Sequence, residues 1–175
     1  MKIVGIVCSP RRNGNTAQLI RAVLSGARKE GAETEIFYVG EMNVHPWTGD
    51  DIQDDMQLIF KSVETADAII FGTPIYHDHV SAQAKIVTDR FAIYEDERRL
   101  PGGVKLVIVI TYYWDNPNGY DYVVEWIKQT FKRYFGVETF AVLKGYGTKK
   151  RPVSERPELL KKAEAIGQKL VSGRP

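Results

Sequence analysis

Apolar residues recur along this chain in two alternating patterns, continuous runs and helical spacings. The run Lys2-Ile3-Val4-Gly5-Ile6-Val7 is nearly all apolar and β-branched and predicts a strand covered on both faces. From Thr16 to Lys29, Leu19, Ile20, Val23, Leu24 and Ala27 fall on one side of a predicted helix, which Gly31 stops. A short strand, Glu35 to Val39, and a loop without period, Gly40 to Gly49, come next. The spacing then predicts a helix over Asp50 to Val63, begun by acids that suit its dipole, with Ile52, Met56, Ile59 and Val63 inward.

The second half repeats the alternation. Ala68-Ile69-Ile70-Phe71-Gly72 is a third buried strand, followed by a loop over 73–79 and a helix carrying Ala82, Ile86, Val87 and Phe91. A charged connector, Glu95 to Gly103, leads to a fourth strand, Val104 to Ile110. A helix from Tyr120 to Phe135 places Val123, Ile127 and Phe131 inward and stops at Gly136. Val137 to Leu143 is a fifth strand, and a last helix turns Leu159, Ala163, Ile166 and Leu170 inward. Five strands alternating with helices predict an α/β fold, a doubly wound parallel sheet of order 2-1-3-4-5, because parallel neighbours need helical crossovers of one hand. Its ligand crevice then lies at the strand carboxyl ends beside strands 1 and 3. No repeat or linker interrupts the 175 residues, so a single domain over 1–175 is expected.

The loops after strands 1, 3 and 4 are the ones that carry chemistry. Cys8-Ser9-Pro10-Arg11-Arg12-Asn13-Gly14-Asn15-Thr16 joins a strand to a helix and offers hydroxyls, a carboxamide, guanidinium groups and a helix N-terminus, the ingredients of a phosphate cradle. The same residues also suit an ordinary polar turn with Thr16 or Asn15 as helix N-cap. Neither G-x-G-x-x-G nor Gly-Lys-Ser/Thr is present, which excludes a dinucleotide fingerprint and a P-loop. A thiol phosphatase needs an arginine where Gly14 stands, so Cys8 reads as a small buried residue closing the strand. A phosphoacceptor domain needs aspartates where this chain has Ser9 and Thr73. What remains is a loop that binds phosphate without reacting with it. The other two loops, Thr73-Pro74-Ile75-Tyr76-His77-Asp78-His79 and Thr111-Tyr112-Tyr113-Trp114-Asp115-Asn116-Pro117-Asn118-Gly119, are aromatic.

Composition narrows the picture further. A net charge of +2, with 24 basic residues scattered among 22 acids, argues against a nucleic-acid-binding role. The single cysteine excludes an intrachain disulfide and a cysteine-ligated cluster held by one chain. No apolar run reaches the ~18–20 residues of a membrane helix and no targeting segment precedes the first strand, so a cytoplasmic protein without membrane partners is expected. His77 and His79 form an H-x-H pair, but no cysteine or carboxylate pattern completes a metal site, and none is expected. The basic run Lys149-Lys150-Arg151 either meets the extra phosphate of NADPH or is a solvated face. A cradle beside two aromatic loops suits a ligand with an anionic tail and a large flat ring. Flavin mononucleotide (FMN) has that shape, whereas a dinucleotide demands a second phosphate site and an acidic ribose partner that the chain lacks after strand 2.

The segments Gly5-Ile6-Val7-Cys8-Ser9-Pro10-Arg11-Arg12-Asn13-Gly14-Asn15-Thr16 and Gly72-Thr73-Pro74-Ile75-Tyr76-His77-Asp78-His79-Val80-Ser81-Ala82-Gln83 resemble the paired signatures of the flavodoxin-like NADPH-dependent FMN reductases. Asp89-Arg90-Phe91 resembles the end of the helix after the second signature, and the pattern is most similar to the iron-sulfur flavoprotein branch. The resemblance implies a flavodoxin-like fold in which Ser9, Arg11, Asn15 and Thr16, with Asn13 in the same loop, bind the FMN phosphate. It implies that Pro74, Ile75, Tyr76 and His77 wrap the isoalloxazine ring, with Thr111 and Tyr112 as further ring neighbours.

Two departures stand out. The family has a pair of glycines after strand 4 where this chain has Thr111-Tyr112-Tyr113-Trp114. The iron-sulfur branch carries a compact cysteine motif where this chain has Val44-His45-Pro46-Trp47-Thr48-Gly49, so no iron-sulfur cluster is expected. The activity implied is hydride transfer from NADPH or NADH to FMN and on to a small-molecule acceptor, with no catalytic side chain of the protein's own. A non-enzymatic FMN electron carrier reduced by a protein partner is the alternative, and a cofactor-free interaction module a third. Tyr112, Tyr113 and Trp114 also suit a dimer surface, and a homodimer covering the ring near Arg90-Phe91 and Tyr94 is expected.

Overall fold

The structure, a computed structural model, describes residues 1–49, 52–94, 100 and 102–173. Its centre is a sheet whose long strands run parallel: β1 (Lys2–Val7), β2 (Glu33–Tyr38), β3 (Ala68–Tyr76), β5 (Lys105–Thr111) and β6 (Glu138–Gly145), in the order β2-β1-β3-β5-β6. Counting the parallel strands alone, this is the expected order 2-1-3-4-5. The additional strand, β4 (His79–Val80), pairs antiparallel with the end of β3.

Continuous apolarity in β1, β3 and β5 has the predicted cause. Alternate side chains enter two separate cores: Val4, Ile6, Ile69, Phe71, Leu106 and Ile108 one, and Ile3, Val7, Ile70, Val107 and Val109 the other. The first core is closed by α2 (Met56–Val63), α3 (Ala82–Arg90) and α4 (Asp121–Phe135). The second is closed by α1 (Asn15–Lys29) and α5 (Pro157–Ser172). These two helices touch backbone to backbone, since a Cβ on Gly26 would lie 1.9 Å from Glu164 O and one on Gly167 would lie 1.9 Å from Val23 O.

The structure corrects the sequence reading in two places. The third strand does not end at Gly72 but continues to Tyr76, turns at His77 and Asp78, and returns as β4 in the register Tyr76↔His79 and Ile75↔Val80. His77 and Asp78 take φ of 46° and 64°, the left-handed pair of a tight hairpin turn that non-glycine residues adopt only under constraint. Two tyrosines of the α4 region supply that constraint: Tyr120 Oη donates to Asp78 Oδ1 at 2.8 Å, and Tyr122 Oη donates to the Asp78 carbonyl.

The helix expected from Asp50 begins only at Met56. Asp54 is drawn inward to Arg90, whose Nη1 and Nη2 donate to Asp54 Oδ2 and Oδ1 at 2.6 and 3.2 Å, and both side chains are almost wholly buried. Arg90 also donates to the carbonyls of His45 and Ile52, both at 3.1 Å. One side chain therefore clamps His45, Ile52 and Asp54 to the end of α3. Asp50, Asp51, residues 95–99 and 101 of the charged connector, and the side chain of Tyr94 lie outside the described residues. The Arg90 and Phe91 side chains are buried in the core.

Burial alone would raise the Asp54 carboxyl, but hydrogen bonds from Arg90 and from the His45 and Met56 N–H groups outweigh it and hold the group below the usual carboxylate range. A depressed acid contributes stability that is complete above its ordinary value of about 3.9 and is lost as the pH falls through the lower folded value. Asp54→Asn is therefore expected to cost about 3–5 kcal/mol at neutral pH, because it leaves the Arg90 charge buried without its partner. It should also flatten the acid limb of a stability-versus-pH profile measured by urea unfolding.

Candidate active site

The strand order reverses between β1 and β3, and the loops leaving their carboxyl ends part to either side of a crevice. The cradle loop is drawn tight by its own hydroxyl, as Ser9 Oγ accepts from Arg11 N at 3.2 Å and the Arg11 carbonyl accepts from Gly14 N at 3.1 Å. Gly14 is the N-cap of α1 and provides no capping side chain, whereas α3 is capped by Ser81, which accepts from Ala84 N at 3.2 Å. Neither Thr16 nor Asn15 caps α1, which corrects the capping part of the ordinary-turn reading. The first-turn N–H groups are left without a side-chain cap, facing what an anion would fill.

Asn15 and Thr16 are instead used to tie the loop to its neighbours. Asn15 Oδ1 accepts from Val153 N at 2.9 Å, and Thr16 Oγ1 lies 2.7 Å from Thr111 Oγ1 at the end of β5. Ser81 Oγ donates to the Cys8 carbonyl at 2.7 Å, joining the second loop to the first. The third loop is held by Tyr112, whose hydroxyl donates to the carbonyls of Asn116 and Pro117 at 2.9 and 3.1 Å. Thr148, on the loop after β6, donates through N and Oγ1 to the Tyr112 carbonyl.

These loops line an open cavity at the carboxyl end of the sheet. Ser9, Arg11, Asn15, Thr16, Pro74, Ile75, Tyr76, Thr111 and Tyr112 all line it, as the sequence reading expects. Asn13 and His77 do not. Asn13 turns to a neighbouring groove, where its Oδ1 accepts from Arg21 at 3.3 Å, and His77 sits at the hairpin apex. Tyr113, Trp114, Tyr120 and Thr148 complete the wall and were missing from the expected set. Tyr113 and Trp114 lie on the loop already singled out. Thr148 was recoverable from the rule that every strand of such a sheet sends its carboxyl-end loop toward the crevice, applied to the fifth strand as well.

The cavity is polar and cationic at the cradle and aromatic at the other end. Arg11 lies beside the hydroxyls of Tyr113 and Tyr76, and these, Tyr113 foremost, hold its guanidinium still more firmly charged. Tyr112 is pushed up to about 12 by burial, with the Asp121 charge adding to it. Tyr120 is pushed up to about 12 by its hydrogen bond to Asp78 and then by burial. No Asp, Glu, His, Lys or Cys lines the cavity among the described residues, and Tyr112 and Tyr120 stay protonated at neutral pH. The walls can bind, orient and exclude water, but they hold no acid, base or nucleophile poised for reaction near pH 7.

The sequence model of a family described as NADPH-dependent FMN reductase matches residues 1–117, which takes in the cradle, the hairpin loop and most of the third loop. The chain belongs to the NADPH-dependent FMN reductase family. This is a family of flavin-dependent oxidoreductases. An iron-sulfur flavoprotein of Archaeoglobus fulgidus is 30% identical over 179 residues, covering 97% of this chain and 79% of that protein. Another, from Methanocaldococcus jannaschii, is 39% identical over 99 residues, 51% of each chain, so this reductase-family chain spans about half the length of that relative. Among solved structures, the NAD(P)H:quinone oxidoreductase from Methanothermobacter marburgensis superposes with a TM-score of 0.74 at 18% identity, covering 97% of this chain and 96% of that one. A flavone reductase superposes with a TM-score of 0.76 at 18% identity over 99% and 62%. Both share the flavodoxin-like fold.

Unlike what the relatives' name describes, this member has one cysteine, Cys8, fully buried, its thiol pushed up by desolvation. No group of three His, Cys, Asp or Glu side chains comes together to hold a metal among the described residues, and His79 packs its ring on Trp126 at 5.0 Å. No helix among them is long and apolar enough to cross a membrane. Because the Tyr112 hydroxyl is spent inside its own loop, Tyr112→Phe should lower stability by about 1–3 kcal/mol while leaving an FMN titration unchanged. Urea unfolding and calorimetry read the two effects separately.

Proposed function

We propose that this protein is an FMN-dependent oxidoreductase that takes hydride from NADPH or NADH and passes it to a small-molecule acceptor. The observation that carries the reading is the two-ended cavity, an anion cradle facing an aromatic pocket with no reactive side chain in its walls. Such walls suit a ligand that brings its own chemistry. FMN, when bound, supplies hydride acceptance and release at its ring, and the protein's task is to hold and tune it.

In this reading Arg11, Ser9, Thr16, the Asn15 amide and the open first turn of α1 bind the phosphate. Pro74, Ile75 and Tyr76 border the ring, with their orientation set by the hairpin that Tyr120 and Tyr122 hold. Tyr112 and Trp114 exclude water from the other wall. His77 and Asn13 are left out of the contact set. The function needs neither nucleic acid nor membrane, and the proposal is of a cytoplasmic homodimer, a state that sedimentation of the flavin-loaded protein measures.

A second reading is favoured by one observation: Tyr113 and Trp114 stand 58% and 54% exposed at the mouth. An aromatic collar there suits a protein electron donor, which would make the chain an electron carrier without a nicotinamide site. Anaerobic mixing of the FMN-loaded protein with NADPH and with NADH separates the two. Bleaching of the flavin by either is expected, and reduction only by a ferredoxin-like protein would replace the first reading by the second. Arg11→Ala should weaken FMN about ten- to a hundredfold through loss of a charge-assisted contact, with riboflavin binding unchanged. Equal loss for both ligands would remove Arg11 from the phosphate end.

A further inference from the structure

An open groove of about 580 Å³ continues from the cavity at one end only. Arg11, Asn15, Tyr113 and Thr148 line both spaces, whereas Pro74, Ile75, Tyr76, Tyr112, Trp114 and Tyr120 line the cavity alone. The groove therefore opens from the cradle end, and what enters it is an extension of the anionic tail. A donor or acceptor stacked on a flat ring would have to sit at the opposite, aromatic end.

The groove's chemistry matches such an extension. Arg11 and Lys149 face it and no carboxylate does. Among the described residues neither cation has an acidic partner within ion-pair distance, although the neighbouring Lys150 pairs with Asp115 at 3.3 Å and Arg151 with Glu158 at 3.5 Å. Gln18 spends its amide N–H on the Asn13 carbonyl at 3.1 Å, which leaves Oε1 as an acceptor over the groove floor. Tyr113 provides an exposed ring for stacking. A second phosphate beside Arg11 and Lys149 and a nucleoside over Tyr113 and Gln18 would use all of these groups.

Resting on the flavin reading of the cavity, we propose that the groove binds the adenylate half of a flavin dinucleotide, so that the protein accepts FAD as well as FMN. The place for a second phosphate lies between the start of α1 and the loop after β6. That place is far along the chain from the end of β2, where dinucleotide folds of another design keep an acidic ribose partner. Lys149 is a specificity-determining residue for the longer cofactor and takes no part in holding the shorter one.

Calorimetric titration of flavin-free full-length protein with FMN and FAD tests the proposal, with Lys149→Ala and Lys149→Glu as variants. FAD is expected to bind at least as tightly as FMN. Lys149→Glu should weaken FAD about tenfold or more, the effect of ~1.4 kcal/mol, and FMN less than about twofold, with Lys149→Ala between. FMN binding with FAD weaker by about tenfold, or unchanged FAD binding in both variants, would overturn the groove assignment and leave the flavin reading intact. Failure of both flavins to bind would sink the two together.

Discussion

A parallel sheet buried on both faces has nowhere to expose functional groups except at its ends, and this constraint organises the molecule. Helices α1 and α5 seal one face and α2, α3 and α4 the other, so the inner strands β1, β3 and β5 carry little but apolar side chains. Chemistry is displaced into the loops that leave the strand carboxyl ends. Because the order reverses between β1 and β3, the loops on either side of that point diverge and leave a crevice. The N-terminus of α1, uncapped by any side chain, opens onto it.

Within that crevice the protein spends its polar groups on holding the loops to one another. Thr16 meets Thr111, Ser81 reaches the Cys8 carbonyl, Asn15 accepts from Val153, and Asp78 is gripped by Tyr120 and Tyr122. Each contact joins a different pair of loops, and the hairpin at His77 and Asp78 stays in a left-handed conformation because of them. The remaining surface is a charged cradle and an aromatic wall, inert by itself and shaped to hold a ligand that reacts. Pre-organisation of this kind limits the ordering that binding would otherwise require.

The segment 44–55 shows how a family scaffold is reused. Where the resemblance places a cysteine motif, this chain has no cysteine, and the irregular backbone is held by the Arg90 guanidinium bound to Asp54 and to the carbonyls of His45 and Ile52. A buried ion pair of this geometry fixes His45, Ile52 and Asp54, which lie outside the helices and strands. Arg90 Nε is the only buried side-chain polar atom without a hydrogen-bond partner among the described residues. The clamp also explains why α2 starts late: Asp54 and Asp55 accept from the backbones of His45 and Asn43 and are no longer available to begin a helix at Asp50.

How much of this was legible in the sequence depended on whether the signal was local. The unbroken runs Ile3–Val7 and Ala68–Phe71 and the helical spacing of Leu19, Ile20, Val23 and Leu24 report burial directly, because periodicity is a property of neighbours along the chain. With short crossovers of one hand, they determined the layers, the strand order and the end of the sheet at which a site must form. The composition of the loop 8–16 marked it as a candidate anion cradle. What only the tertiary structure decided were contacts between residues far apart in sequence: the Arg90 clamp on Asp54, the recruitment of Tyr120 and Thr148 to the wall, the turning away of Asn13 and His77, and the groove beside Lys149. A side chain's partner across the fold leaves no period in the sequence, so these features appear only once the chain has closed on itself.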